Sequence, residues 1–279
     1  EARARSAGSK VGDKAVADIY HEIASTHGAT HFRGYEEDLC SSALQAIVQE
    51  GRCLASLRQG DSAELIFGET PFYAESGGQV GDAGVIEGDG ALFVVQDTQK
   101  SVGGLFVHRG FLKQGELQTG QRLTLGIDTG RRKKIRCNHS ATHLLHSALH
   151  EVVGEHAMQK GSLVAAERLR FDYSGTQPLT REEIARIEDL VNAKILENVT
   201  IETEVLPIDE AKERGAVGIF EEKYGDVVRM LRIGDDSVEL CGGTHAERSG
   251  DLGLLKVVSE GGVAAGVRRI KTTITPDND

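Results

Sequence analysis

Two pairs of metal-type ligands stand far apart in this chain, and they set the strongest condition on how it can fold. His139 and His143 occur in the run H-S-A-T-H, and Cys241 and His245 in the run C-G-G-T-H. The i, i+4 spacing puts both members of a pair on the same side of a helical turn. Three imidazoles and one thiolate make a tetrahedral donor set suited to Zn²⁺. If the four serve one ion, the fold must join two distant segments, unlike a local zinc finger. The first pair alone is weak, because histidines four apart recur by chance. His146 and His150 repeat the spacing and read as a surface or packing face. The second pair adds weight, because Gly242 and Gly243 let the backbone approach a neighbour closely or adopt φ > 0. Cys137, one turn ahead of the first pair, reads as a small buried residue. Ser140 follows His139, so the H-E-x-x-H motif is absent and a zinc peptidase is disfavoured.

The chain has 279 residues, enough for one large domain or two modest ones with real cores. No apolar run approaches the roughly 18 residues of a membrane span. The charged start, Glu1 to Lys10, lacks a signal-peptide core. With no initiator Met and a basic, helix-prone opening, it reads as a segment of a longer polypeptide. Cys40, Cys53, Cys137 and Cys241 follow no disulfide framework, which points to a reducing cytoplasm. A net charge of −11 is a poor footprint for a stand-alone nucleic-acid binder. Any RNA contact must be local or must borrow affinity from other domains.

Val16, Ile19, Tyr20 and Ile23 predict a helix over 13–26. From Gly34 to Ile127 short apolar runs alternate with turns: Ala43–Val48, Ala63–Phe67, Gly84–Ile86, Leu92–Gln96, Leu105–Val107 and Arg122–Ile127. They predict a small antiparallel barrel or meander. Asp128 or Thr129 caps a long helix that closes near Gly154. Strands at Gly161–Ala165 and Leu169–Tyr173 follow. Thr180 and Glu183 form a capping-box pattern ahead of a helix with Ile184, Ile187, Val191 and Ile195 as its buried stripe. Val199–Leu206, Val227–Ile233, Ser237–Leu240 and Leu254–Ser259 read as strands, with a short helix at Asp209–Arg214. The fold class is therefore α+β: a β-barrel subdomain, then a core with a sheet packed on long helices.

Two further segments stand out. In Thr70–Gly84, glycines 77, 78, 81 and 84 make either a hairpin connection or a turn lying close to a ligand. It is not a P-loop, since no G-K-[ST] follows. Residues 261–269 superficially resemble a nucleotide loop, but their flanks are strand-like. Arg131, Arg132, Lys133, Lys134 and Arg136 form either a solvated helix face or a local phosphate contact.

Taken together, F-Y-A-E-S-G-G-Q-V-G-D (72–82), N-H-S-A-T-H-L-L-H (138–146), Q-K-G-S-L-V (159–164), L-R-F-D (169–172) and E-L-C-G-G-T-H (239–245) closely resemble the editing domain of bacterial-type alanyl-tRNA synthetases. The resemblance covers about Gly34 to Ile270. It implies a linker helix at 1–33 after an absent aminoacylation module, a barrel at 34–127, a zinc-containing editing core at 128–272 and a tail at 273–279. It implies one Zn²⁺ held by His139, His143, Cys241 and His245, and ATP use only in the absent module. The implied reaction is hydrolysis of Ser-tRNA(Ala) and Gly-tRNA(Ala), bound by the acceptor end. Gln159 matches the family's pocket glutamine, and with Thr142 is a candidate catalytic contact. Ser76, Gly77, Gly78 and Gln79 match a glycine-rich motif next to the pocket. With Arg131, Arg132 and Lys133 they are candidate substrate contacts. Three rival readings are a free-standing trans-editing deacylase, a zinc-stabilised tRNA-binding module without hydrolysis, and editing of Ser-tRNA(Thr).

Overall fold

The computed structural model describes residues 18–218, 225–235 and 237–275. The described residues divide into two compact units: those up to 76 with 81–131, and 77–80 with those from 132 onward.

The first unit is built on a closed antiparallel barrel of β1 (Leu39–Gln49), β2 (Ser62–Phe67), β3 (Gly84–Gly88), β4 (Ala91–Lys100), β5 (Phe106–Gln114) and β6 (Arg122–Ile127). Its strand order is β6-β3-β4-β5-β2-β1, and pairing of β6 with β1 closes the circle. Each of the six runs expected from sequence overlaps one of these strands, though Leu105–Val107 catches only the start of β5. Alternation explains the inside: Ile47, Leu65, Phe67, Ile86, Phe93, Leu123 and Leu125 fill the barrel. Ala46, Val48 and Ile66, which alternate with them, face outward. They are covered by Tyr20 and Ile23 of helix α1, residues 18–27. That second covering is why β1 reads as a continuous apolar run. Residues 13–17 of the expected helix lie outside the described residues. Gly81 belongs to the barrel: a Cβ there would sit 2.0 Å from the Thr98 carbonyl oxygen.

The second unit is organised by two helices, α2 (Thr129–Val153) and α3 (Arg181–Glu197). Asp128 caps α2, its carboxylate accepting from the Arg131 backbone N–H at 2.9 Å. The Thr180–Glu183 capping box of α3 is present in full, and Asn198 ends that helix in the left-handed region at φ 53°. Where the sequence suggested one sheet there are two. One is four-stranded, β7 (Gln159–Val164), β8 (Leu169–Ser174), β13 (Val267–Thr275) and β12 (Leu254–Ala264), in that order. The other is three-stranded, β9 (Ile201–Pro207), β10 (Val227–Ile233) and β11 (Ser237–Leu240). One core serves both: Leu145 and Leu149 of α2 and Ile187, Val191 and Ile195 of α3 meet Phe171, Leu231, Leu255 and Ile270. Helix α4 (Ile208–Glu213) packs through Ala211 in a smaller cluster with Leu206, Val228 and Met230.

The C-terminal assignment needs correction. Thr273–Thr275, taken from sequence as tail, pair with Leu254–Lys256 and complete the β12–β13 hairpin. Residues 261–269 are the arms of that hairpin, turning at Gly266 with φ 69°. Residues 276–279 lie outside the described residues.

Candidate metal centre

The two ligand pairs converge in the second unit. One donor atom from each of His139, His143, Cys241 and His245 lies within 4.8 Å of the others. Helix α2 supplies the first two on one face, with near-parallel rings 5.4 Å apart. The turn after β11 supplies the other two. That turn is pinned to β10: the Cys241 N–H donates to the Arg229 carbonyl at 2.9 Å, and Arg229 Nη1 donates to the Gly243 carbonyl at 2.8 Å. Gly243 lies so close to α2 that a Cβ there would be 2.0 Å from His139 Cε1. No larger residue fits without moving the ring.

Each imidazole is held from behind at Nδ1. His139 Nδ1 is 2.8 Å from Gln79 Oε1, His143 Nδ1 is 2.8 Å from Glu239 Oε2, and His245 Nδ1 is 3.4 Å from Ser140 Oγ. These contacts turn Nε2 inward. The Nε2 atoms of His139 and His245 lie 3.5 and 3.3 Å from Cys241 Sγ. His143 Nε2 is buried with no hydrogen-bond partner. A buried orphan nitrogen is costly in an apolar interior and natural in a metal site.

The electrostatics agree with the geometry. Burial pushes the Cys241 thiol up, but the adjacent His139, His245 and His143 outweigh it and hold the thiol well below its ordinary value. Burial opposes charge on Glu239 too, yet His143 and His146 bring its carboxyl down to about 2. Burial lowers His143, while the negative charges of Glu239 and Cys241 carry it up to about 10. Burial takes His245 down to about 3. The Cys241 thiol and the Glu239 carboxyl are thus both held toward their anionic forms beside the histidines, a charge balance that fits a metal cation.

The remaining expected site residues fall out differently. Gln79 is fully buried. Its Oε1 accepts from the Thr244 N–H at 2.9 Å, and its Nε2 donates to Thr244 Oγ1 at 2.9 Å. It therefore braces His139 against the turn. Gly77 and Gly78 have positive φ, 59° and 88°, and Gly77–Val80 runs beside Val164 of β7. A Cβ on Gly78 would meet Ser162 Oγ at 2.3 Å. Gln159 starts β7 and donates to the same Ser162 hydroxyl at 3.3 Å. Ser76 is exposed in the first unit, where its carbonyl accepts from the Tyr73 hydroxyl at 3.2 Å.

One candidate is engaged within its own helix, and one expectation is corrected. Thr142 is buried, and its hydroxyl donates to the Asn138 carbonyl of its own helix at 2.8 Å, so its proton is already committed. The basic cluster is not a single phosphate patch. Arg132 is 1% exposed, and Arg131 is half-buried with Nη1 on the Gly81 carbonyl at 2.8 Å. Lys133 and Lys134 are exposed. The spacing of Arg132 with Ile135 and His139 put it on the buried helix face, a signal the charge count concealed.

Sequence reasoning also missed Glu239 and Ser140 as partners of ligand histidines. His146, read as a surface or packing residue, is buried against Glu239 at 3.4 Å.

Comparison with known proteins places these features in a class. A family model for tRNA synthetases class II (A) matches residues 1–131. One for the threonyl and alanyl tRNA synthetase second additional domain matches residues 228–271, which hold Cys241 and His245. The barrel unit thus falls within the first match, and the turn that carries Cys241 and His245 within the second. Curated relatives narrow the class. The alanine–tRNA ligase of Rhodopseudomonas palustris is 46% identical over 281 residues, covering 97% of this chain and 32% of the relative. That of Bradyrhizobium diazoefficiens is 47% identical over 283 residues, covering 97% and 32%. That of Sorangium cellulosum is 55% identical over 251 residues, covering 86% and 27%. The chain belongs to the alanyl-tRNA synthetase family, and it spans about a third of the length of the first two of these relatives. No helix among the described residues is long and apolar enough to cross a membrane.

Proposed function

We propose that this chain is the proofreading part of an alanyl-tRNA synthetase. It hydrolyses the ester of Ser-tRNA(Ala) and Gly-tRNA(Ala) in the cytoplasm, with Zn²⁺ held by His139, His143, Cys241 and His245. The observation that carries the reading is the preorganised donor set, with each histidine braced at Nδ1 and His143 Nε2 left unpaired. Three imidazoles and a thiolate suit zinc among common divalent ions. The full-length relatives would attach alanine to tRNA(Ala) using ATP.

The chemistry explains the need. A pocket built for alanine cannot exclude the smaller glycine, nor firmly reject serine. A methyl or a hydroxyl is worth only about 1–3 kcal/mol of discrimination there. A second, hydrolytic site completes the selection.

When bound, zinc supplies Lewis acidity toward an ester carbonyl or an anchor for the aminoacyl group. The protein's own part is positional. Gln79, Glu239 and Ser140 orient the imidazoles, and Gly243 admits His139 to the turn. Gly77, Gly78, Ser162 and Gln159 are joined by contacts that run on through Gln79 to His139. They form the polar surface on which we place the aminoacyl group. Lys133 offers its exposed ammonium to a phosphate.

Four protein donors are also the closed pattern of a structural zinc site, which favours a second reading: a zinc-stabilised tRNA-binding module. A deacylation assay separates the two. The zinc-loaded chain is expected to release serine and glycine from tRNA(Ala) and to leave alanine attached. A folded, zinc-loaded sample that binds tRNA(Ala) but releases neither would exclude hydrolysis by this chain.

A further inference from the structure

Of the three partners that hold the ligand histidines at Nδ1, two are neutral, Gln79 and Ser140, and one is a carboxylate. Glu239 is 5% exposed. Its Oε2 accepts from His143 Nδ1 at 2.8 Å, while Oε1 lies 3.4 Å from His146 Nδ1 and accepts from Ser237 Oγ at 3.3 Å. Burying a carboxylate is costly unless its oxygens are paired. His146 and Ser237 therefore account for the oxygen that His143 does not use. His146, 3% exposed, sits one turn beyond His143 on α2, so the same helix face that presents a ligand also presents the clasp for its carboxylate.

We propose that Glu239 and His146 form a positioning brace for the metal centre. Glu239 fixes His143 as the Nδ1–H tautomer with its Nε2 lone pair directed to the ion, and His146 fixes Glu239. An imidazole whose Nδ1–H donates to a carboxylate is a stronger ligand than one that donates to a neutral group, because the negative charge raises its basicity. Losing Glu239 is therefore expected to weaken metal binding more than losing Gln79 or Ser140. The inference rests on the metal reading of the site but not on hydrolysis.

The test is zinc affinity by competition with a chromogenic chelator, together with the absorption spectrum of the cobalt-substituted protein. Glu239→Gln keeps an acceptor for His143 and removes the charge. It is expected to bind zinc about tenfold more weakly, with a shifted cobalt spectrum. Glu239→Leu, which removes both, is expected to approach about a hundredfold. His146→Phe leaves Glu239 its bonds to His143 and Ser237, and should fall between the parent and Glu239→Gln. The near-isosteric Glu239→Gln decides the matter if the leucine variant does not fold. Parental zinc affinity and an unchanged cobalt spectrum in folded Glu239→Gln would overturn the brace. A parent chain that binds no zinc would overturn the metal reading itself.

Discussion

Each unit of this protein buries histidine, and the two burials have opposite meanings. In the barrel, His108 is fully enclosed between strands. Its Nδ1 donates to the Leu65 carbonyl at 3.0 Å, and its Nε2 accepts from the Thr70 hydroxyl at 2.7 Å. Both nitrogens are satisfied, and the rings of Phe67 and Phe72 pack edge-on around it. In the second unit His139, His143 and His245 are also buried, and each is held at Nδ1 by an oxygen of a neighbouring side chain. Their other nitrogens converge on a thiol, and one has no partner at all. Burial by itself does not mark a functional histidine. The mark is a set of rings whose Nε2 atoms converge on one thiol, with one of those nitrogens left unpaired.

The largest expected effect falls on the second unit. Removing zinc with a chelator should lower its stability by about 4 kcal/mol relative to protein in metal at about a thousand times Kd. Differential hydrogen exchange should show α2, β10 and β11 opening more readily while the barrel strands keep their protection. Equal loss in both units would erase the contrast.

Next comes a pH dependence of the barrel. Burial lowers His108 from 6.5 to about 4. Between these values the unfolded chain holds more protons than the folded one. The stability present above pH 6.5 is therefore lost as pH falls toward 4, on the order of 3 kcal/mol in all. Exchange of β2 and β5 peptides in the metal-free protein, compared with His108→Gln, measures it. The variant should show a flat profile over this window.

The smallest change sharpens the metal side. Gly243→Ala sets a methyl against His139 and should cost about 1–3 kcal/mol, appearing as weaker zinc binding rather than as barrel instability. Chelator competition on the variant would show it. Unchanged affinity would mean that His139 has room to retreat.

Legibility in the sequence followed the range of the interaction. Strands β6, β10 and β11 run from first to last residue as alternation and turn chemistry indicated. Thr180 and Glu183 announced their helix because a capping box is complete within four residues. The four candidate donors were visible because metal-binding side chains are few and their spacing is local within each pair. What escaped was contact between distant positions. Nothing near Glu239 in the chain points to His143, and nothing near Gln79 points to His139. The division of the second unit into two sheets also depends on strand pairings that no local pattern specifies.

The sequence by itself determined the two textures, barrel and α+β, and the four residues able to hold an ion. Both follow from periodicity and ligand chemistry, which act at short range. Only the tertiary structure decided that Arg132 lies inside, that Thr142 bonds its own helix, and that Glu239 stands behind His143. Those outcomes depend on which surfaces meet when α2, β10 and β11 pack, and on the need of every buried polar atom for a partner once water is gone.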